Sequence, residues 1–351
     1  MGRVALRNWL PGPMRRAGRR ARAAFVRSQV AGELQRIAQS GRPVIAGPWL
    51  GEVGFEILYW TPFLRWASAA FNLAPDRVLA LSRGGVASWY HDVAGRYVDL
   101  FDHLTVEEFR AGNERRRAEV GEQKQVRESA FEREILAVAR KAEALEDAEV
   151  LHPSLMYRLF QPYWWKHEPA DWVEARTEYR ILPRPELPPS LGMRPGEYIA
   201  VKFYCNDCVP DDERTGQFAS AAMAALSKVA PVVTLSTDLV LDDHGGTRAA
   251  VGGRVASIAS LVRPRNNLAV QTAVVANARA FVGTYGGFSY VPPFHGVPTL
   301  ALYAKADGFD RAHLVMAEHA YRRVHAAPFE LRGMADVRAD ALLRELEWMI
   351  G

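Results

Sequence analysis

A proline-rich stretch divides the sequence into two halves, and each half alternates short apolar runs with helical segments. Five prolines lie close together there: Pro183, Pro185, Pro188, Pro189 and Pro195. Because proline stiffens an extended connection, we predict an interdomain linker over residues 183–196. A chain of 351 residues has room for two domains of about 100–200 residues each.

Apolar runs that end at turn residues predict strands on both sides of this linker. In the first half they are residues 43–46 and 78–81, and in the second half residues 198–201, 232–235, 280–282 and 297–303. Helical segments at 217–229 and 268–277 separate the later runs, and alternating strands and helices are typical of a parallel sheet covered by helices. We therefore predict an α/β fold with two Rossmann-like domains, residues 41–182 and 197–328, facing a cleft ringed by strand-to-helix loops.

Three other segments have patterns of their own. Residues 105–150 carry Glu and Arg at helical spacing, which predicts a long helix or helical hairpin that covers the surface without taking part in chemistry. Residues 329–351 are assigned to a C-terminal helix, with an amphipathic stretch at 335–349. Thr61-Pro62 predicts an N-cap and a first-turn proline that restart or kink the first helix.

Residues 1–40 form a basic N-terminal arm that passes into a helix. They contain nine arginines and one glutamate, a net charge of +8, whereas the whole chain carries +4. Aromatic and apolar residues interleave with the arginines, so the arm is interpreted either as lying on an anionic membrane surface or as a segment that is solvated or packed on a partner. The rest of the chain is acidic and has no zinc-finger or RNP motif, so no nucleic-acid partner is expected.

The lengths of the apolar runs and the number of cysteines together predict where in the cell the protein is located. The sequence has no run of about 18 apolar residues, so no membrane-spanning helix is predicted. It also has no apolar N-terminal stretch, so no signal peptide is predicted. Two cysteines cannot form a disulfide framework. We expect a cytoplasmic protein, peripheral on the inner face of the membrane if the arm binds lipid.

Two glycine-bearing loops are the candidates for chemistry. The first follows the strand at 43–46 and holds Glu52 and Glu56, either of which can act as a general base, although acids near a helix start also complement the helix dipole. The second covers residues 281–289, where backbone N–H groups can hold a pyrophosphate. Neither the dinucleotide-binding glycine pattern nor the P-loop Gly-Lys-Ser/Thr is present.

Cys205 and Cys208 form a single C-x-x-C. There is no second pair and no adjacent histidine, so a closed zinc site is not supplied. We interpret the two cysteines as a structural or incidental pair.

Two stretches of the sequence resemble the heptosyltransferase family. Residues 54–65, GFEILYWTPFLR, are similar to its first loop and helix, and Glu56 has the five-residue spacing to Thr61-Pro62 that the family gives its catalytic Asp. Residues 282–303 are similar to its second signature, with matches at Val282-Gly283, Gly287 and residues 296–299, GVPT. The sequence departs from the family at Phe55, at Tyr285 in place of an Asp, and at Tyr290 in place of a His.

The resemblance implies the glycosyltransferase B fold, a nucleotide diphosphate-sugar donor, inversion at the anomeric carbon, and neither metal nor cofactor. It makes Glu56 the first candidate for the base and Glu52 the second. The basic arm in turn suggests an acceptor at the membrane, so we expect the acceptor hydroxyl to belong to a glycan or a lipid-linked molecule. Donor-binding candidates are Lys202, Arg263, Arg265, Gly283, Thr284, Tyr285, Gly286, Gly287, Phe288 and Ser289, and acceptor-binding candidates are Trp49, Gly51, Gly54 and Arg83.

Two other classes of function remain open. A nucleotide-sugar epimerase can use the same double fold and acts without an acceptor. A non-catalytic sugar- or lipid-binding protein is compatible with tyrosines at positions 285 and 290.

Overall fold

A computed structural model describes residues 12–122, 124–237, 239, 254–338, 342 and 344–346. The first domain is a four-stranded parallel sheet of order β3-β2-β1-β4, with helices around it. Its elements are α1 (Gly12–Gln39), β1 (Val44–Ala46), α2 (Val53–Phe55), α3 (Thr61–Phe71), β2 (Val78–Ser82), β3 (Arg96–Asp99), α4 (Val106–Val120), α5 (Ala130–Ala142), β4 (Glu149–Leu151), α6 (Ser154–Trp164) and α7 (Asp171–Glu174).

The second domain is a six-stranded parallel sheet of order β10-β9-β8-β5-β6-β7. Its elements are β5 (Ile199–Lys202), α8 (Glu213–Ser227), β6 (Val232–Thr234), β7 (Val255–Ser257), α9 (Asn267–Ala276), β8 (Ala280–Thr284), β9 (Thr299–Tyr303), α10 (Arg311–Val324) and β10 (Phe329–Gly333). Two parallel sheets flanked by helices confirm the predicted α/β class with two Rossmann-like domains.

The strand order explains where the functional loops meet. In each sheet the chain builds outward from its first strand, then crosses to that strand's other side, so the order reverses between β1 and β4 and between β5 and β8. Ligands of open α/β sheets bind beside such a reversal, at the carboxyl ends of the strands. Register pairs Lys202 at the end of β5 with Gly283 near the end of β8, which brings the loops after β5 and β8 together.

Three predicted segments differ from the structure. Residues 329–333 form β10, an edge strand, and not the start of a C-terminal helix. Of the predicted helix at 335–349, residues 335–337 form a turn and a bend, residue 338 is irregular, and residues 342 and 344–346 are helical. Residues 339–341, 343 and 347–349 lie outside the described residues. Residues 105–150 do form a helical hairpin, α4 and α5, but the hairpin buries Phe109, Phe131 and Ile135 against the first sheet.

Pro62 lies in the first turn of α3, as predicted, but Thr61 is not a cap, because the chain is already helical before it. The chain is helical from Val53 to Phe71, and residues Glu56–Trp60 form one π-helical turn, in which Thr61 N–H donates to Glu56 O. Proline has no N–H, and its ring clashes with the carbonyl of the preceding turn in a regular α-helix. The wider π turn before Pro62 relieves that clash, so the helix continues without a cap.

The helix α1 is packed on the first domain only by its C-terminal half. Ala23, Val30, Leu34 and Ile37 are buried, while every side chain described before Ala23 is exposed. Across the part of the chain that the structure describes, no helix has both the length and the apolar content needed to cross a bilayer.

Candidate active site

The two domains touch through the backbones of two glycines. A Cβ on Gly54, in α2, would lie 2.7 Å from Gly287 Cα, and a Cβ on Gly287 would lie 2.7 Å from Gly54 N. Only hydrogen fits at either position, so this contact requires glycine on both sides. The loops after β1 and β8, the two predicted from the sequence, therefore meet at one point.

Two cavities lie on either side of this contact. The smaller cavity, about 120 Å³, is lined by Glu52, Val53, Arg83, Lys202, Phe203, Tyr204, Leu235, Ser236, Thr237, Leu239, Asn267, Leu268, Gln271, Gly287 and Phe288. Most of these residues belong to the second domain, at the ends of β5 and β6 and the start of α9. Their side chains supply a cation, hydroxyls and amides beside an aromatic ring.

The larger cavity, about 470 Å³, has walls from both domains. Its aromatic lining is Phe55, Tyr59, Tyr157, Tyr204, Tyr285, Tyr290 and Phe309. The α4–α5 hairpin adds Asn113, Arg116, Arg117 and Lys124. The second domain adds Asn206 and Asp207 from the loop after β5, and Asp310 and His313 from the start of α10. Apolar walls with a few polar groups are typical of small-molecule sites.

Glu52 is the carboxylate at the junction. Its side chain is exposed, and it lines both cavities, as do Tyr204 and Gly287. It stands as the N-cap residue of α2 in extended conformation, with no side-chain cap bond to the helix.

Glu56 has a different environment from Glu52. It is fully buried and lines neither cavity, and its Oε1 accepts hydrogen bonds from the Ser82 and Tyr90 hydroxyls. Burial raises its pKa to about 7, although the two hydroxyls and Arg83 act in the opposite direction. The structure thus places Glu56 behind the cavity wall, against β2.

The acceptor candidates fall into two groups. Gly51 and Gly54 line the larger cavity, and Arg83 lines the smaller one while its Nη2 donates to Gly51 O at 2.9 Å. Trp49 lines neither cavity and is fully buried, stacked between Trp60 and Tyr157 with ring centroids 5.8 and 6.1 Å away. Its place in the structure is in the core.

The donor candidates also divide. Lys202 and Phe288 line the smaller cavity with the ammonium 4.7 Å from the ring centroid, and Lys202 Nζ donates to Gln271. Arg263 and Arg265 line neither cavity: Arg263 bonds to nearby carbonyls, and Arg265 forms an ion pair with Asp102 across the two domains. Those two arginines support the loop before α9 and its contact with the first domain.

The glycine-bearing loop after β8 is held by its own bonds. Thr284 Oγ1 donates to Tyr204 O and accepts from Tyr204 N, and Ser289 Oγ donates to Gly286 O. The Tyr285 N–H donates to Leu302 O, and the Gly286 N–H lies 3.3 Å from Ser289 Oγ. Gly283 is buried where a Cβ would meet Lys202 O, so it serves the β5–β8 pairing.

Two of the three positions that depart from the family pattern, Tyr285 and Tyr290, contact each other. The hydroxyls of Tyr285 and Tyr290 lie 2.6 Å apart, and both residues line the larger cavity. Burial raises the pKa of Tyr285 to about 12, so both phenols are neutral at physiological pH.

The two cysteines have the character of structural residues. Burial raises the pKa of Cys208 to about 11 and also raises that of Cys205. A raised thiol pKa lowers the thiolate fraction, which is the reactive form. Among the described residues, no group of three or more His, Cys, Asp or Glu is placed to hold a metal ion.

Several residues of the cavities were not predicted from the sequence. They come from the hairpin, from the loops after β5 and β6, and from the starts of α9 and α10. Tyr204 and Ser236 could have been found, because each follows a predicted strand at the edge where parallel sheets bind ligands. The hairpin residues carry no such signal, since a run of Glu and Arg is typical of a solvated face.

One buried glutamine holds the loop that carries Glu52. Gln125 Nε2 donates to Pro48 O and to Glu132 Oε1, at 2.8 and 2.6 Å, and its Oε1 accepts from Leu50 N at 2.9 Å. Glu132 in turn is paired with His152 at 3.2 Å. The hairpin thus fastens the loop between β1 and α2 through fully buried polar groups.

Gln125→Ala is expected to lower the free energy of unfolding by about 2 kcal/mol, because a buried N–H and two buried acceptors lose their partner. Urea unfolding at pH 7 measures this. Glu134→Gln, which alters an exposed ion pair with Arg115 on the same hairpin, should stay within about 0.5 kcal/mol of wild type. Equal stability of the Gln125→Ala variant and wild type would contradict the role of this residue.

Comparison with known proteins relates the chain to solved structures alone. No family model matches the chain, and no curated protein sequence matches it. The E. coli ADP-heptose lps heptosyltransferase II is 12% identical, with 88% of this chain and 98% of that one covered and a TM-score of 0.43. E. coli heptosyltransferase WaaC with ADP is 12% identical over 88% and 99%, at a TM-score of 0.44.

A glycosyl transferase family 9 structure from Veillonella parvula is also 12% identical, over 88% of this chain and 97% of that one, with a TM-score of 0.45. All three matches extend over both domains. Because the TM-scores are below 0.5, nothing about the reaction follows from them. The function has to be argued from the two cavities and the carboxylate between them.

Proposed function

We propose that the protein is a glycosyltransferase that moves a sugar from a nucleotide diphosphate donor to a hydroxyl of a glycan or lipid-linked acceptor, with inversion. The observation that carries the proposal is the position of Glu52, an exposed carboxylate on the wall of both cavities. Transfer between two bound molecules needs a base at the junction of their sites, and Glu52 is at such a junction.

The smaller cavity is the proposed donor site. It lies at the carboxyl ends of β5 and β6, beside the reversal of strand order where nucleotides bind in Rossmann-like domains. Lys202 supplies a positive charge there for the diphosphate. Asn267, Gln271 and the hydroxyls after β6 supply donors and acceptors for a ribose or a base.

The larger cavity is the proposed acceptor site. Its aromatic walls suit the apolar faces of sugar rings, and its amides and charged groups suit their hydroxyls. Tyr204 and Gly287 border both cavities, so the transferred sugar would lie next to them.

In the reaction, Glu52 takes the proton of the acceptor hydroxyl while that oxygen attacks the anomeric carbon. The bond from that carbon to the diphosphate oxygen breaks on the opposite face, which inverts the configuration. The Lys202 ammonium stabilises the negative charge on the leaving diphosphate, the kind of electrostatic effect that contributes most to many enzymes. The amides of Tyr285 and Gly286 are already used within the fold, so they are not assigned this role.

Nucleoside diphosphate binding tests the donor assignment. We expect one of UDP, GDP, ADP, CDP and dTDP to raise the melting temperature, since a ligand at about 100 times its Kd stabilises by about 2.7 kcal/mol. Lys202→Ala should abolish the shift, while Lys228→Ala, at an exposed position after α8, should keep it.

The outcome also separates the alternatives. The matching nucleotide sugar should be consumed slowly by hydrolysis and faster with acceptor. No shift with any diphosphate would contradict the proposal, binding without turnover would indicate a sugar-binding protein, and a new nucleotide sugar formed without acceptor would indicate an epimerase.

A further inference from the structure

The N-terminal part of α1 extends from the body of the protein with its arginines exposed. Arg16, Arg19, Arg20 and Arg22 are all exposed, and the first buried side chain described in α1 is Ala23. At 1.5 Å per residue, about 15 Å of helix makes no buried contact. This part continues a helix of 28 residues whose later turns pack on the body, so its side chains stay accessible to a bound surface.

Apolar side chains lie among these arginines. Met14 is 59% exposed and Phe25 is 62% exposed. They are eleven residues apart, about three turns, which places them on one side of α1, opposite the buried Ala23 and Val30. An apolar side chain between basic ones is typical of a helix that lies in the boundary between lipid headgroups and acyl chains.

The body of the protein continues this surface. Trp165, directly after α6, is 48% exposed, and the Arg22 guanidinium lies over its ring, 5.7 Å from the centroid. Arg27 is close enough to Arg176 to contribute to the lowering of its pKa, after desolvation by burial, so like charges accumulate here. At 100° per residue Arg16 and Arg19 project to the other side of α1 from Phe25, so the arginines surround the exposed end of the helix. We call this exposed end together with its aromatic neighbour on the body the basic face; its residues are Arg16, Arg19, Arg20, Arg22, Phe25 and Trp165.

The basic face adjoins the wall of the larger cavity. Trp164, the residue before Trp165, packs its ring on Phe55 and Tyr59, with centroids 5.5 and 5.2 Å away, and both of these residues line that cavity. A surface bound to the basic face would therefore lie beside the proposed acceptor site.

We propose that the basic face binds the surface of an anionic lipid bilayer and so brings the larger cavity to an acceptor carried in that bilayer. The exposed Met14, Phe25 and Trp165 favour lipid over a nucleic acid, whose phosphates need only the arginines. The part of the proposal that concerns the acceptor rests on the proposed function, whereas the lipid binding itself does not.

Vesicle sedimentation of the full chain tests the basic face. We expect wild type to bind vesicles of phosphatidylcholine with 30% phosphatidylglycerol, to release at 0.5 M NaCl, and to leave pure phosphatidylcholine vesicles unbound, because each basic residue near the surface adds attraction that salt screens. Changing Arg16, Arg19, Arg20 and Arg22 to Gln should weaken binding by roughly 1,000-fold, at about 1 kcal/mol for each arginine.

A matched variant changes four other exposed arginines, Arg110, Arg133, Arg194 and Arg322, to Gln, and should bind as wild type does. Met14→Ala with Phe25→Ala should weaken binding at low salt as well, by roughly 10-fold, because apolar area is lost. Equal loss in both four-arginine variants, or binding by neither wild type nor variants, would overturn the proposal. So would binding to duplex DNA in place of vesicles at the same salt.

Sedimentation needs no turnover, so its result is independent of whether the protein transfers a sugar. If the protein binds vesicles but binds no nucleotide, the proposed function is contradicted while lipid binding by the basic face is supported.

Discussion

Glu52→Gln is expected to lower the turnover number by about 10²–10⁴-fold, the usual cost of removing a general base. Glutamine keeps the size of the side chain and its hydrogen bonds but cannot accept the acceptor's proton. The same change at Glu56 is expected to leave turnover within about threefold of wild type, because Glu56 is fully buried and lines neither cavity. The measurement is the turnover number of both variants with the nucleotide sugar whose diphosphate raises the melting temperature.

The dissociation constant of the nucleoside diphosphate, measured on the same samples, serves as the control. It should change little in either variant, since Lys202 and the residues around it remain. Normal turnover of Glu52→Gln together with a large loss in Glu56→Gln would assign the base to Glu56, as the resemblance implies. Normal turnover in both variants would show that the general base does not lie in this loop.

The choice between the two glutamates shows what the sequence could not decide. Residues 52 and 56 are about one helical turn apart, so their directions depend on where the helix begins. The helix starts at Val53, which leaves Glu52 in extended conformation in front of it and turns Glu56 toward Ser82 in β2. The spacing to Thr61-Pro62 is the same in either case, so a motif alone does not distinguish them.

The strands that were predicted and those that were missed differ in position. All six predicted runs became strands inside the two sheets or next to their centres. The four missed strands, β3, β4, β7 and β10, are the edges of the sheets. An edge strand is partly solvated, so it tolerates charged residues such as Arg96 in β3 or Glu330 and Arg332 in β10, and no apolar run marks it.

The hairpin illustrates a different limit. Its charged pattern predicts a solvated cover, and most of its Glu and Arg residues are exposed. However, Arg116 and Lys124 line the larger cavity, and Gln125 reaches the loop after β1 across about 75 residues of sequence. Contacts of such long range come from the tertiary fold and leave no local periodicity.

Glu56→Gln is expected to make the protein more stable at pH 8 and to change it little at pH 5. Burial raises the pKa of Glu56 to about 7 from its ordinary 4.5, so the folded protein prefers the protonated form. The stability that this group contributes is therefore fully present below about pH 4.5 and is lost as the pH rises through about 7. Glutamine does not titrate, and its amide oxygen can accept the bonds from Ser82 and Tyr90 in place of Oε1.

The expected gain at pH 8 is about 3 kcal/mol in the free energy of unfolding, from 1.36 kcal/mol for each pKa unit. Urea unfolding at pH 5, 6, 7 and 8 measures how the difference in free energy of unfolding between variant and wild type grows.

Glu132→Gln provides a control of opposite sign. Burial raises the pKa of Glu132, but His152, Ser129 and Gln125 outweigh that effect and hold the pKa at about 2. That carboxylate stabilises the fold above about pH 4.5, so its loss should destabilise the protein throughout this range. A constant difference between Glu56→Gln and wild type from pH 5 to 8 would show that Glu56 is already charged in the folded protein at pH 5, as it is in the unfolded chain, so that its pKa is not raised. Any pH dependence would then have to come from another buried acid such as Asp99, whose pKa burial raises to about 6.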